Sequence, residues 1–116
     1  MFADTIRQAL PEYPIAPLQE TDELLHVFYD LQMDTRIPGC RHLYWTPTGE
    51  RGVYMPGETA RWLGIRDRDG RLMVAINFDM DMGDAWQHAD DPYYPQPMTA
   101  LAYKFGVNYV IYTLTR

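Results

Sequence analysis

Apolar residues Phe2, Ile6, Ala9 and Leu10 repeat at helical spacing until Pro11 stops them, which predicts a short amphipathic helix. Pro11, Pro14 and Pro17 then hold the backbone extended. Thr21 precedes the run Asp22-Glu23-Leu24-Leu25-His26-Val27-Phe28-Tyr29. A capping residue followed by acids in the first turn predicts a second helix there. Residues 30–60 are irregular, punctuated by Pro38-Gly39, Pro47, Gly49, Gly52 and Pro56-Gly57, with short strands expected at 42–45 and 52–55. The clearest local pattern comes next. Apolar segments 62–66 and 72–77 flank Asp67-Arg68-Asp69-Gly70 and predict a β-hairpin that turns at Asp69-Gly70. The second segment, Leu72-Met73-Val74-Ala75-Ile76, is continuously apolar, so it is expected to be a central strand buried on both faces. Residues 78–97 read as a second long loop ending in Pro92, Pro95 and Pro97. Beyond it Leu101, Phe105, Tyr109 and Tyr112 share one helical face. One long helix is therefore expected, with a terminal strand over the β-branched 107–114 segment as its rival and Gly106 as its weak point.

Composition narrows this picture. With 116 residues, 47% hydrophobic and 22% charged, the chain reads as a single globular domain, residues 1–116. The net charge of −6 and the scattered basic residues argue against a nucleic-acid partner. The densest basic run, Arg61 to Arg71, also holds Asp67 and Asp69 and reads as a solvated hairpin face. No segment approaches the length of a membrane helix, and no basic-then-apolar leader follows Met1. The expectation is a soluble chain without direct membrane insertion, envelope-associated if an upstream segment exists. A single cysteine, Cys40, excludes an internal disulfide and a multi-cysteine zinc site.

Candidate chemistry concentrates after the apolar strand. Asp79, Asp81, Asp84, Asp90 and Asp91 place five carboxylates in thirteen residues. Ligands of open α/β sheets gather beyond strand ends, and hard cations take several oxygens. The expected ligand site therefore comprises Asn77, Asp79, Asp81, Asp84 and Trp86, with Asp79, Asp81 and Asp84 as ligands of calcium or magnesium; the bland alternative is a loop held by capping. Trp86, in the same loop as His88, is either a flat wall for a ligand or an anchor onto the core. Cys40 and His42 lie two apart with no nucleophile elbow, so Cys40 is read as an inert thiol. His26 is read as structural, and no glycine-rich phosphate loop is present. No catalytic residue is assigned, and no cofactor beyond that cation.

Three segments carry a resemblance: Leu25 to Asp30, Asp69 to Pro95, and Gly106 to Thr115. They resemble the bacterial domain of unknown function 4159, through the loop bearing Asn77, Asp81, Gly83, Asp84 and Trp86; Gln87 stands where that pattern has an acid. The resemblance implies an α/β fold, a partial flavodoxin-like (class I glutamine-amidotransferase-like) sandwich with a β-hairpin and a long C-terminal helix. It also implies that the chain corresponds to the C-terminal half of a larger domain. The expectation is an uncharacterised non-catalytic binding or assembly module. Its partner would be a missing N-terminal half or another copy in a homo-oligomer. The competing expectations are a carbohydrate-directed hydrolase using the loop aspartates, and a purely structural half-domain.

Overall fold

The structure is a computed structural model and describes residues 2–56 and 61–115. The predicted breaker Gly57 and the side chain of Phe2 lie outside what is described. The fold is mixed α/β. In chain order it contains α1 (Phe2–Ala9), β1 (Ala16–Pro17), β2 (Leu43–Trp45), β3 (Arg51–Val53), β4 (Arg61–Arg66), β5 (Leu72–Phe78), α2 (Met82–Gln87) and α3 (Gln96–Thr115). Two short 3₁₀ turns, Glu23–Leu25 and Cys40–His42, interrupt the irregular stretches.

All strand pairings among the described residues are antiparallel. One sheet has the order β1-β4-β5, and β2 pairs with β3 in a separate ribbon. The β4–β5 hairpin forms as its sequence predicts. Gly70 takes φ +84, which its missing Cβ permits. The Asp67 carboxylate accepts from the backbone N–H groups of Asp69 and Arg71, both at 2.9 Å, and pins the turn.

The long C-terminal helix is present, and the strand alternative is not. Its Thr99, Ala102, Phe105, Asn108 and Tyr112 are buried. Phe105 stacks on Trp62 of β4 with ring centres 5.3 Å apart. Two tyrosine hydroxyls fasten the helix to β5: Tyr112 Oη accepts the Leu72 N–H at 2.9 Å, and Tyr109 Oη accepts from Asn77 Nδ2 at 2.7 Å. Gly64 lies beneath this layer because a Cβ there would fall 2.6 Å from Leu72 and 2.9 Å from Leu18.

Three expectations need correction. The helix predicted from Asp22 to Tyr29 is a single 3₁₀ turn, and Thr21 does not cap it. Asp22 instead bridges to Arg66, and the chain after Leu25 is held by Asn108. That side chain, fully buried in α3, accepts the Tyr29 N–H at 2.9 Å and donates to the carbonyls of Leu24 and Tyr29 at 3.0 and 2.9 Å. An irregular backbone buried against a helix needs polar partners, and one amide supplies three. The second correction concerns β5. Among the described residues it is an edge strand and not a central one, and most of its residues are only half-buried. The third concerns residues 78–97, which hold α2 and not only loop.

His26 sits at the end of that first 3₁₀ turn, exposed. Its ring reaches the Glu20 carbonyl at 2.7 Å and the Asp30 carboxylate at 3.0 Å. The Glu20 carbonyl, then Asp30, raise its pKa above the usual 6.5.

Two outcomes follow from these contacts. Asn108→Ala strands one N–H and two carbonyls in the interior, and is expected to lower unfolding free energy by about 3 kcal/mol, measured by urea titration. NMR titration of His26 is expected to give a midpoint above that of a free imidazole, falling toward it in Asp30→Asn. Because the folded pKa is the raised one, the stabilisation from the His26 contacts is full below pH ~6.5 and disappears as pH climbs through the folded value.

Candidate functional site

Two neighbouring features arise where β5 ends. Asp79 leaves the strand at φ +55, a left-handed conformation uncommon for a residue with a Cβ. Arg36 holds it there, donating to its carbonyl at 3.0 Å and its carboxylate at 2.7 Å. Asp81 then caps α2 by accepting the Asp84 N–H at 2.9 Å, the role that short acidic side chains fill at helix starts.

The first feature is a hollow of about 550 Å³ alongside β5, bordered by Asn77, Asp79, Asp81 and Trp86, among others. Four of the five residues expected to bind a ligand therefore border one space. Their polar groups are nonetheless committed elsewhere: Asn77 to Tyr109, Asp79 to Arg36, Asp81 to the helix start. Trp86 lies over Gly106 of α3, where a Cβ would come within 3.3 Å of the indole. It also borders a second trough of about 480 Å³ along α3, lined by Tyr103, Val107, Val110 and Ile111 and wholly apolar. Trp86 thus joins the two hollows. Val110 is 57% exposed and Leu114 78%, so the outer side of α3 presents a long apolar stripe to solvent.

The second feature was not expected from the chain. Asp84, which is not among the residues bordering the hollow alongside β5, lies beside Asp81 near Gly39. Cys40 Sγ, a carboxylate oxygen of Asp84 and a ring nitrogen of His88 lie within 4.8 Å of one another, all three residues half-buried. Each position has a local cause. Asp84 and His88 are four apart, and the His88 N–H bonds the Asp84 carbonyl at 2.9 Å, so the two side chains share a face at the end of α2. Cys40 arrives on a different segment. Its N–H donates to Asp84 Oδ2 at 2.8 Å. Gly39 makes the approach easy, since a Cβ there would stand 3.1 Å from both the Asp81 and Asp84 carboxylates and would push them back by a few tenths of an ångström. The buried Tyr94 hydroxyl donates to the Pro38 carbonyl at 2.6 Å and anchors this segment from below. Behind the cluster, His88 Nδ1 lies 3.4 Å from Asp91 Oδ2, and Asp91 is itself fixed by accepting the Tyr93 N–H.

Burial, then the nearby Asp84 carboxylate, pushes the Cys40 thiol pKa up. Burial, then Cys40, Asp81 and Asp84, pushes up that of Tyr94. Sequence reasoning set Cys40 aside because no nucleophile elbow surrounds it; in the structure the histidine nearest in the chain, His42, has its Nδ1 accepting from the Gly39 N–H. The relevant partners lie 44 and 48 positions away. The spacing Asp81-x-x-Asp84 was the available signal for α2, and with it for the Asp84–His88 pair.

No helix among the described residues is long and apolar enough to cross a membrane. No curated protein and no solved structure matches the chain. A family model does, the domain of unknown function DUF4159, over residues 1–114. That span takes in the Asn108 clamp, the β5 edge and the loop that carries Asp84, and the chain belongs to this family of domains of unknown function.

Proposed function

We propose that this domain is a non-catalytic assembly module that pairs with a second copy of itself through β5. The observation that carries the reading is the edge of an uncharged, apolar strand that no strand among the described residues pairs with, beside an apolar trough. Edges of this kind are normally short, charged or covered.

The register of self-pairing follows from the hydrogen bonds. The Leu18 N–H donates to the Trp62 carbonyl at 2.9 Å, so Trp62 and Gly64 direct their peptide groups toward β1. By alternation Leu63 and Ile65 face β5, opposite Ile76 and Val74. Met73, Ala75 and Asn77 therefore direct their peptide groups outward. An antiparallel two-fold centred on Ala75 sets Met73 against Asn77 of the partner subunit. A two-fold normal to the sheet keeps both α3 helices on the same face, where their apolar troughs meet.

Area agrees with this arrangement. The chain exposes 7516 Å², against roughly 6,600 Å² for a compact monomer of its mass. The excess, on the order of 1,000 Å², is comparable to the share one partner gives a stable interface. The flavodoxin-like resemblance supports the same edge as the place where a larger sheet continues, with a separate N-terminal half as the rival occupant.

Analytical ultracentrifugation of the 116-residue chain is expected to show a dimer. Ala75→Pro removes an outward N–H without touching the β4 ladder. It is expected to keep the far-UV spectrum and to weaken dimerisation by roughly thirtyfold, from two lost hydrogen bonds at about 1 kcal/mol each. Val110→Glu, which puts a carboxylate from each copy into the apolar trough where the two α3 helices meet, is expected to weaken it by about tenfold. A chain that stays monomeric at high micromolar concentration overturns self-pairing and points to the N-terminal half as occupant. So does a dimer indifferent to both substitutions.

A further inference from the structure

The geometry points to a zinc-type divalent cation site formed by Cys40 Sγ, an Asp84 carboxylate oxygen and His88 Nε2, with Asp91 orienting His88. Neither the family nor the assembly reading assigns it, and it lies on a different set of side chains from the β5 edge.

Three observations converge. The donors come from two segments far apart in the chain, which are already held together by the Asp81 N–H bond to the Ile37 carbonyl, and they gather within 4.8 Å. Around a tetrahedral zinc, donors stand about 3.5 Å apart, so ordinary side-chain rotation closes the set. His88 Nδ1 lies 3.4 Å from the Asp91 carboxylate. That carboxylate–histidine arrangement is the one that fixes the tautomer of a ligating imidazole and leaves Nε2 for the metal. Finally, the segment carrying Cys40 is braced for this approach by Gly39, whose lack of a side chain admits the Asp84 carboxylate, and by the Tyr94 hydroxyl on Pro38.

The donor set chooses the ion. Thiolate and imidazole ligands suit zinc and its neighbours, whereas calcium and magnesium require a shell of oxygens. Asp84 Oδ2 also accepts the Cys40 N–H, which leaves Oδ1 for the cation. Three protein ligands make an open site, with a fourth position for water or a ligand. Binding a metal here releases the thiol proton to solvent as the Sγ–metal bond forms. The site would tie the irregular 38–42 segment to α2.

The test is calorimetric titration of the full chain with Zn²⁺, paired with Co²⁺ as a spectroscopic probe. One ion per chain is expected, with a thiolate-to-cobalt charge-transfer band in the near ultraviolet. Cys40→Ser is expected to abolish that band. His88→Gln is expected to weaken zinc binding at least tenfold, and Asp91→Asn to weaken it by about tenfold, the usual effect of losing an orienting partner. Asp79→Asn, outside the cluster, is expected to bind as the wild type does, and excess Mg²⁺ or Ca²⁺ is expected not to compete. A cobalt complex of the wild-type chain without a thiolate band overturns the proposal, as does zinc binding that His88→Gln leaves unchanged. These readouts hold even where Cys40→Ser fails to fold.

Discussion

The Asn108 amide is the constraint on which the rest of this small structure rests. A 20-residue helix packs over a three-stranded sheet, but the chain between β1 and β2 has almost no regular structure of its own. Its backbone groups near Leu24 and Tyr29 would be desolvated without partners if α3 presented only apolar side chains. Asn108 answers with all three bonds from one buried position, and the Trp62–Phe105 stack sets the depth at which it sits. A buried amide satisfied in this way specifies one arrangement, because any slippage of the helix leaves several polar groups unmatched at once.

That clamp settles which side of α3 faces inward, and therefore which side does not. Phe105, Asn108 and Tyr112 are turned to the sheet and to the 24–29 segment. Tyr103, Val107, Val110 and Leu114 are left outside. The same one-sidedness applies to β5, which gains β4 on one edge and nothing described on the other. An apolar helix stripe and an apolar strand edge, joined by Trp86, form a single surface whose chemistry resembles an interior. The radius of gyration is 15.7 Å, against roughly 13 Å for a compact domain of this length.

At the end of β5 the aspartates divide their labour. Asp79 and Asp81 are occupied in turning and restarting the chain, which is the capping role that a polar loop fulfils by default. Asp84 is freed for Cys40 and His88 because Asp81 has already satisfied the start of α2. Carboxylate density in the chain does not separate Asp79 and Asp81, which brace the loop, from Asp84, which lies beside Cys40 and His88. Histidine and cysteine entered by tertiary contact, over distances in the chain at which no spacing rule operates.

The residue pattern by itself determined the amphipathic first helix, the two short strands of the ribbon, the β4–β5 hairpin with its Asp-Gly turn, the long final helix and the family. Each of these depends on local periodicity or on turn chemistry carried by a few adjacent residues. Only the tertiary structure decided that Asp22 to Tyr29 is not a helix, because a long-range amide outcompeted local capping. It also placed β5 at an edge, since a continuous apolar run records that a strand expects neighbours without saying whether this chain supplies them. And it brought Cys40 to Asp84 and His88, because convergence of side chains is a property of packing, which a linear pattern does not contain.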